Sequence, residues 1–208
     1  MLNRTSKSPL AWAMISCTML LASCASGEAE HTTDANEQAS AAPSADRLPA
    51  CDDIAKAIGA PVAGMGGMPD AESGPWRDGD KYGVKCTWGT SAAIRVANGQ
   101  PGSVRDIGDM GTVTLHIGVN DNVMTESEVR SAGKVFDDPR AKAIGGWIMA
   151  DPGLDLAAKA ALAPPQVNVG ATTISVGAAN SSAPELASIT NDWAIDAAVA
   201  TYRLIDKD

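Results

Sequence analysis

Few residues in this chain have the type and spacing to do chemistry, and most of those few lack a partner the chemistry needs. Ser131-Ala132-Gly133-Lys134 has the S-x-x-K spacing in which a lysine activates a serine, but no K-T-G element follows it. There is no G-x-S-x-G elbow, and a Ser-His-Asp triad beyond residue 50 would have to use His116, which reads as an exposed histidine on the polar side of a strand. His31, the second histidine, lies in a low-complexity stretch and reads as a bystander. Asp78-Gly79-Asp80-Lys81-Tyr82-Gly83 begins like a calcium loop. Tyr82 stands at a ligand position, however, and Gly89 falls where the bidentate glutamate belongs, so a solvated acidic turn is expected. Gly64-Met65-Gly66-Gly67-Met68 lacks the G-x-G-x-x-G spacing of a phosphate cradle and reads as flexible loop. No metal-ligand set or cofactor motif is found. Of the tryptophans, Trp88, Trp147 and Trp193 fall at strand and helix spacing and read as core. Trp76 sits in a Gly/Pro-rich segment and is the one candidate ligand anchor.

The cysteines say more. Asn3 to Lys7 is a short basic region, and Leu10 to Leu21 is mostly apolar. About 12 residues at about 1.5 Å each fall short of a hydrocarbon core of about 30 Å, so the run reads as the apolar part of an export signal. It ends in Leu21-Ala22-Ser23-Cys24, a branched apolar residue and two small ones before a cysteine. That tetrad resembles the lipobox of bacterial lipoproteins, in which cleavage precedes a cysteine that carries a diacylglyceryl group. Cys17 is a poorer candidate, with a shorter apolar run before it and Met14 in place of the branched residue. The expectation is a signal peptide over 1–23 and a lipidated Cys24 on the extracytoplasmic face of a cell membrane. Two or three acyl chains hold a protein there far better than one.

Cleavage at that point would leave 185 of the 208 residues and remove Arg4 and Lys7 but no acid, taking the formal charge from −9 to −11. No basic stripe is left to neutralise phosphates, which argues against nucleic acid and against electrostatic binding to anionic lipid. Residues 24–49 are dominated by Ala, Ser, Glu, Thr, Asp and Asn, too polar to offset the entropy of ordering, and are expected to form a disordered tether. A coil of about 25 residues would average roughly 25–30 Å end to end.

Residues 50–208 suit one domain. With Cys24 acylated, Cys51 and Cys86 are an even pair in an exported chain and are expected to form a disulfide pinning the first helix to a strand. Their spacing is neither that of a zinc site nor CxxC.

The elements that would position these residues follow from periodicity. Asp52 to Ile58 predicts a helix stopped by Gly59, and residues 64–83 predict loop. Strands are predicted at Lys85 to Trp88 and at Ala93 to Val96. The clearest covers Thr112 to Val119, where Val113, Leu115, Ile117 and Val119 alternate with Thr112, Thr114, His116 and Gly118. Thr125-x-x-Glu128 signals a capped helix running to about Gly133. Trp147 to Ala150, Val167 to Val169 and Thr172 to Ala178 predict further strands. Ser182-x-x-Glu185 predicts the start of a long helix to about Ile205. The fold class expected is α+β, an antiparallel sheet with helices packed on one face.

The lipobox, the tether, Pro49-Ala50-Cys51-Asp52 and Cys86-Thr87-Trp88 together resemble the secreted lipoproteins of Actinobacteria that carry a domain of unknown function. More distantly, the layout is similar to the extracellular sensor domains of mycobacterial receptor kinases. The resemblance implies a cell-envelope protein and supplies no catalytic residues. The expectation is a non-enzymatic lipoprotein whose domain binds or senses an envelope protein or a glycan. The alternative is a small envelope hydrolase or transferase using carboxylates, which paired acids with a raised pKa would favour.

Overall fold

The alternation at Thr112–Val119 is realised residue by residue. Val113, Leu115, Ile117 and Val119 are at most 1% exposed, and the four residues between them are half-buried. The computed structural model describes residues 42–68, 73–100, 102–160, 163–179 and 183–207. The Leu21–Cys24 tetrad, His31 and Ser182 therefore lie outside the described residues.

The elements in chain order are α1 (Cys51–Ile58), β1 (Gly66–Gly67), β2 (Gly74–Asp78), β3 (Lys81–Gly89), α2 (Ser91–Ala97), α3 (Val104–Asp109) and β4 (Thr112–Val119). They continue with α4 (Glu126–Ser131), β5 (Val135–Phe136), α5 (Pro139–Lys142), β6 (Trp147–Met149), β7 (Gln166–Val169), β8 (Thr172–Ala179) and α6 (Asn191–Ile205). The strands form one sheet in the order β1-β3-β4-β8-β7-β6-β5, and β2 lies beside β3 on the same edge as β1. Every pairing is antiparallel. The class is α+β.

One face of the sheet builds the core. Across it run Cys86, Leu115 and Val176, and in the next row Val84, Ile117, Ile174, Val167 and Ile148. Helix α6 lies over β8 and β7, with α1 and α5 against it. Ile54 of α1 and Ile195 of α6 are fully buried in this layer. The Cys51–Cys86 disulfide fastens α1 to β3 across a Cα separation of 5.5 Å.

The local signals act as physical devices. Gly59 ends α1 at φ +66°, a conformation cheap only for glycine. Thr125 and Glu128 make both reciprocal bonds of the capping box. The Asp78–Lys81 pair closes a two-residue turn through Gly79 and Asp80, the solvated acidic turn expected there.

Four expectations are corrected. Residues 64–83 are not all loop: they supply β1, β2 and the start of β3, so Trp76 stands on a strand. Ala93 to Val96 is helix, because Thr90 caps it by accepting the Ala93 N–H at 3.3 Å while its hydroxyl is also bonded to Asp109 O and Gly111 N. The long helix begins at Asn191, not after Ser182, since Thr190 provides its cap. Leu186 and Ile189 are fully buried but precede it in a single turn and a short link. Finally, residues 42–49, expected to end a disordered tether, are held on the domain. The Tyr82 hydroxyl donates to the Pro43 carbonyl at 2.5 Å, Arg47 donates to the Ile205 carbonyl at 3.3 Å, and Leu48 packs against the core.

Candidate functional site

The second face of the sheet carries residues the core does not use. Because side chains alternate along a strand, the register defines which of them share a row. One row reads Trp76, Gly83, Gly118, Thr173, Asn168, Trp147 across β2, β3, β4, β8, β7 and β6. The row beside it reads Lys85, His116, Ser175, Gln166, Met149. Helix α6 packs on β8 and β7 from the core side, whereas α2 packs over the Gly89 end of this second face, where a Cβ at Gly89 would stand 3.3 Å from the Ala93 Cβ.

Trp76 packs against this face. A Cβ added at Gly83 would stand 2.7 Å from the indole Nε1 and 2.8 Å from Cε2, so the missing side chain at Gly83 makes room for the ring. Gly118 lies under its far edge, where a Cβ would be 3.8 Å from Cζ2. Beside it the His116 ring stacks on the indole at a centroid distance of 5.0 Å and an interplanar angle of 21°. The indole Nε1 is buried with no hydrogen-bond partner among the described residues.

His116 is therefore not the bare exposed histidine expected from its strand position. Burial first, and the nearby Lys85 charge second, push its pKa below the usual 6.5, so it is a neutral imidazole at pH 7. It can then donate from one ring nitrogen and accept at the other. Asn168 is 6% exposed and satisfied: its amide donates to Gln166 O at 3.1 Å and its carbonyl accepts from the Thr173 hydroxyl at 2.8 Å. The Ser175 hydroxyl, the Gln166 amide and the His116 ring nitrogens have no protein hydrogen-bond partner among the described residues. The arrangement is an aromatic platform beside half-buried polar groups, suited to holding a ligand that has both a flat apolar surface and hydrogen-bonding groups.

The other tryptophans divide. Trp88 is 5% exposed in the core, as expected, and Trp193 packs on the core while donating to Ala60 O at 3.1 Å. Trp147 departs from its core reading, for it is half-buried and closes the far end of the Trp76 row.

The remaining candidates are accounted for locally. The Ser131 hydroxyl donates to Glu128 O at 2.7 Å in the last turn of α4, so the S-x-x-K pattern is a helix end. Among the described residues no cluster of three His, Cys, Asp or Glu side chains could hold a metal, and no helix is long and apolar enough to cross a membrane. Among the described residues, the carboxylates with displaced pKa values all move down. Asp138, 5% exposed, is held by Arg140, Asp137 by Arg130 and Lys142, and Glu128 by the Thr125 cap. Among the described residues, none is shown as a raised-pKa acid. A shallow cleft near α1 and the end of α6 gathers Arg47, Lys56 and Lys207, but Asp53 pairs with Lys56 at 3.2 Å, and Asp46, Asp52 and Asp206 adjoin these residues in the chain.

Sequence reasoning missed Trp147, Ser175 and Gln166 as members of this face. The Thr173-Ser175-Gly177 alternation opposite Ile174 and Val176 was the readable signal, and the register that aligns it with Trp76 was not. Comparison of the chain with protein-family models, with curated proteins and with solved structures finds no match.

Proposed function

We propose that this chain is a cell-envelope lipoprotein, anchored through lipid on Cys24, whose domain binds a ligand on the open face of its sheet without catalysing a reaction. The observation that carries the binding reading is Trp76, laid across Gly83 and Gly118 and stacked on His116 with its indole N–H unpartnered among the described residues. Large aromatic surface of this kind dominates binding energetics when a partner covers it. The anchoring reading is supported by the Leu21-Ala22-Ser23-Cys24 tetrad after a short apolar run, and by a disulfide, a bond that persists in oxidising compartments.

Two measurements test the two halves separately. Mass spectrometry of the N-terminal peptide from the native membrane is expected to find Cys24 first and carrying a diacylglyceryl group; an unmodified Cys24 inside a longer chain sinks the anchor. Affinity capture from detergent-solubilised envelope is expected to recover a protein or glycan with the wild-type chain and lose it with Trp76→Ala. Equal recovery with both proteins, or none with either, rules the open face out.

A further inference from the structure

We infer that the ligand of the open face is a glycan, an unbranched segment of polysaccharide lying along the row from Trp76 to Trp147. The inference rests on the open-face binding reading and adds the chemical class.

Trp76 and Trp147 stand at the two ends of one cross-strand row, five inter-strand steps apart. At about 4.8 Å per step that is about 24 Å, the length of a chain of several sugar rings rather than of one small molecule. A pyranose ring presents C–H groups on its flat faces and hydroxyls around its rim. The faces stack on indole, and the rim requires donors and acceptors close by. The row supplies both in that order. Indole rings stand at each end, Trp76 packed over Gly83 and Gly118, and the half-buried Thr173 follows. In the flanking row the His116 ring nitrogens, the Ser175 hydroxyl and the Gln166 amide have no protein hydrogen-bond partner among the described residues. Neither row contains a carboxylate to repel an acidic sugar.

Other occupants fit less well. A nucleic acid strand stacks bases on aromatic rings but needs a cation for its phosphates along the path, and these two rows offer Lys85 alone in a chain of formal charge −9. An extended peptide pairs with a free sheet edge or fills apolar pockets, whereas the Trp76–Trp147 row crosses the middle of the sheet over glycines and polar side chains.

The test uses the detergent-solubilised full chain with chitotetraose, cellotetraose and maltotetraose as probes, an eight-residue oligothymidylate as the contrasting strand, and calorimetry with tryptophan fluorescence as readouts. At least one tetrasaccharide is expected to bind saturably. Trp76→Ala and Trp147→Ala are each expected to weaken it by about tenfold, the loss of one stacked ring. Ser175→Ala, a small change on the surface, should weaken it with unchanged circular dichroism, so the result does not depend on the tryptophan variants folding. No tetrasaccharide binding up to about 10 mM, or an affinity indifferent to Trp147, overturns the glycan assignment, as does binding of the oligothymidylate instead. A Trp76-dependent envelope partner recovered alongside such a failure leaves the open-face reading standing.

Discussion

Trp76 and Gly83 face each other across the β2–β3 pair so closely that the glycine has no room for a side chain. A Cβ there would meet the indole at 2.7 Å and, on the neighbouring strand, collide with the Ile117 carbonyl oxygen. The second obstruction is backbone in the middle of the sheet, which cannot swing aside. Gly83→Ala is expected to destabilise the domain by about 3 kcal/mol or more, in the range of overpacked cores. Urea denaturation checks it; a loss under about 1 kcal/mol would mean that the strands separate easily.

The Cys51–Cys86 bridge closes a loop of 35 residues in sequence separation. The chain-entropy model gives about 3–4 kcal/mol for such a loop. Thiol titration of the denatured, unreduced domain should find no free thiol from this pair, and Cys51→Ala/Cys86→Ala should unfold at correspondingly lower denaturant. Two titratable thiols would disprove the bridge.

Asp138 gives an acid-sensitive contribution. It caps α5 by accepting the Arg140 N–H at 2.8 Å and is ion-paired with the Arg140 side chain at 2.8 Å. That pairing lowers its pKa below the unfolded value near 3.8. A depressed folded pKa means stability present above the unfolded value and lost as pH falls through the folded one. Asp138→Asn should therefore be less stable than wild type at pH 7, and the gap should close below about pH 4. A gap that is constant from pH 7 to pH 2 would show that the charge is irrelevant.

His116 titrates in the opposite sense to a paired histidine. Burial and Lys85 lower its pKa, so the folded state holds its proton less tightly than the unfolded chain does. The contribution is present above pH 6.5 and is lost as pH falls toward the folded pKa. Proton NMR should place the midpoint below 6.5, and Lys85→Met should move it upward. Protonation beside the indole should change Trp76 fluorescence with the same midpoint, and a Trp76→Phe control should abolish that change.

The parts of the fold that were legible in sequence are those whose signal is local and periodic. β4 was readable because one side of it is buried and the other is not, and α4 because Thr125 and Glu128 bond each other's backbone. α2 was misread because Ile94 and Val96 suggest a strand, while the deciding cap, Thr90, takes part of its bonding from Asp109 and Gly111, far along the chain. β2 was missed because Gly74 and Pro75 read as loop, although proline is tolerated on a strand at the sheet edge. The platform shows the same division. Trp76 stood out by composition, but its alignment with Trp147 comes from the strand order, which no local pattern encodes.

The outermost strands bear on how the domain behaves among neighbours. β5 and β1 have two residues each, and β2 reaches five, interrupted by Pro75, which has no N–H to offer. Neither border presents a long row of unpaired amides on which a second molecule could extend the ladder. Among the described residues, the ends of the sheet give self-templated growth almost nothing to copy.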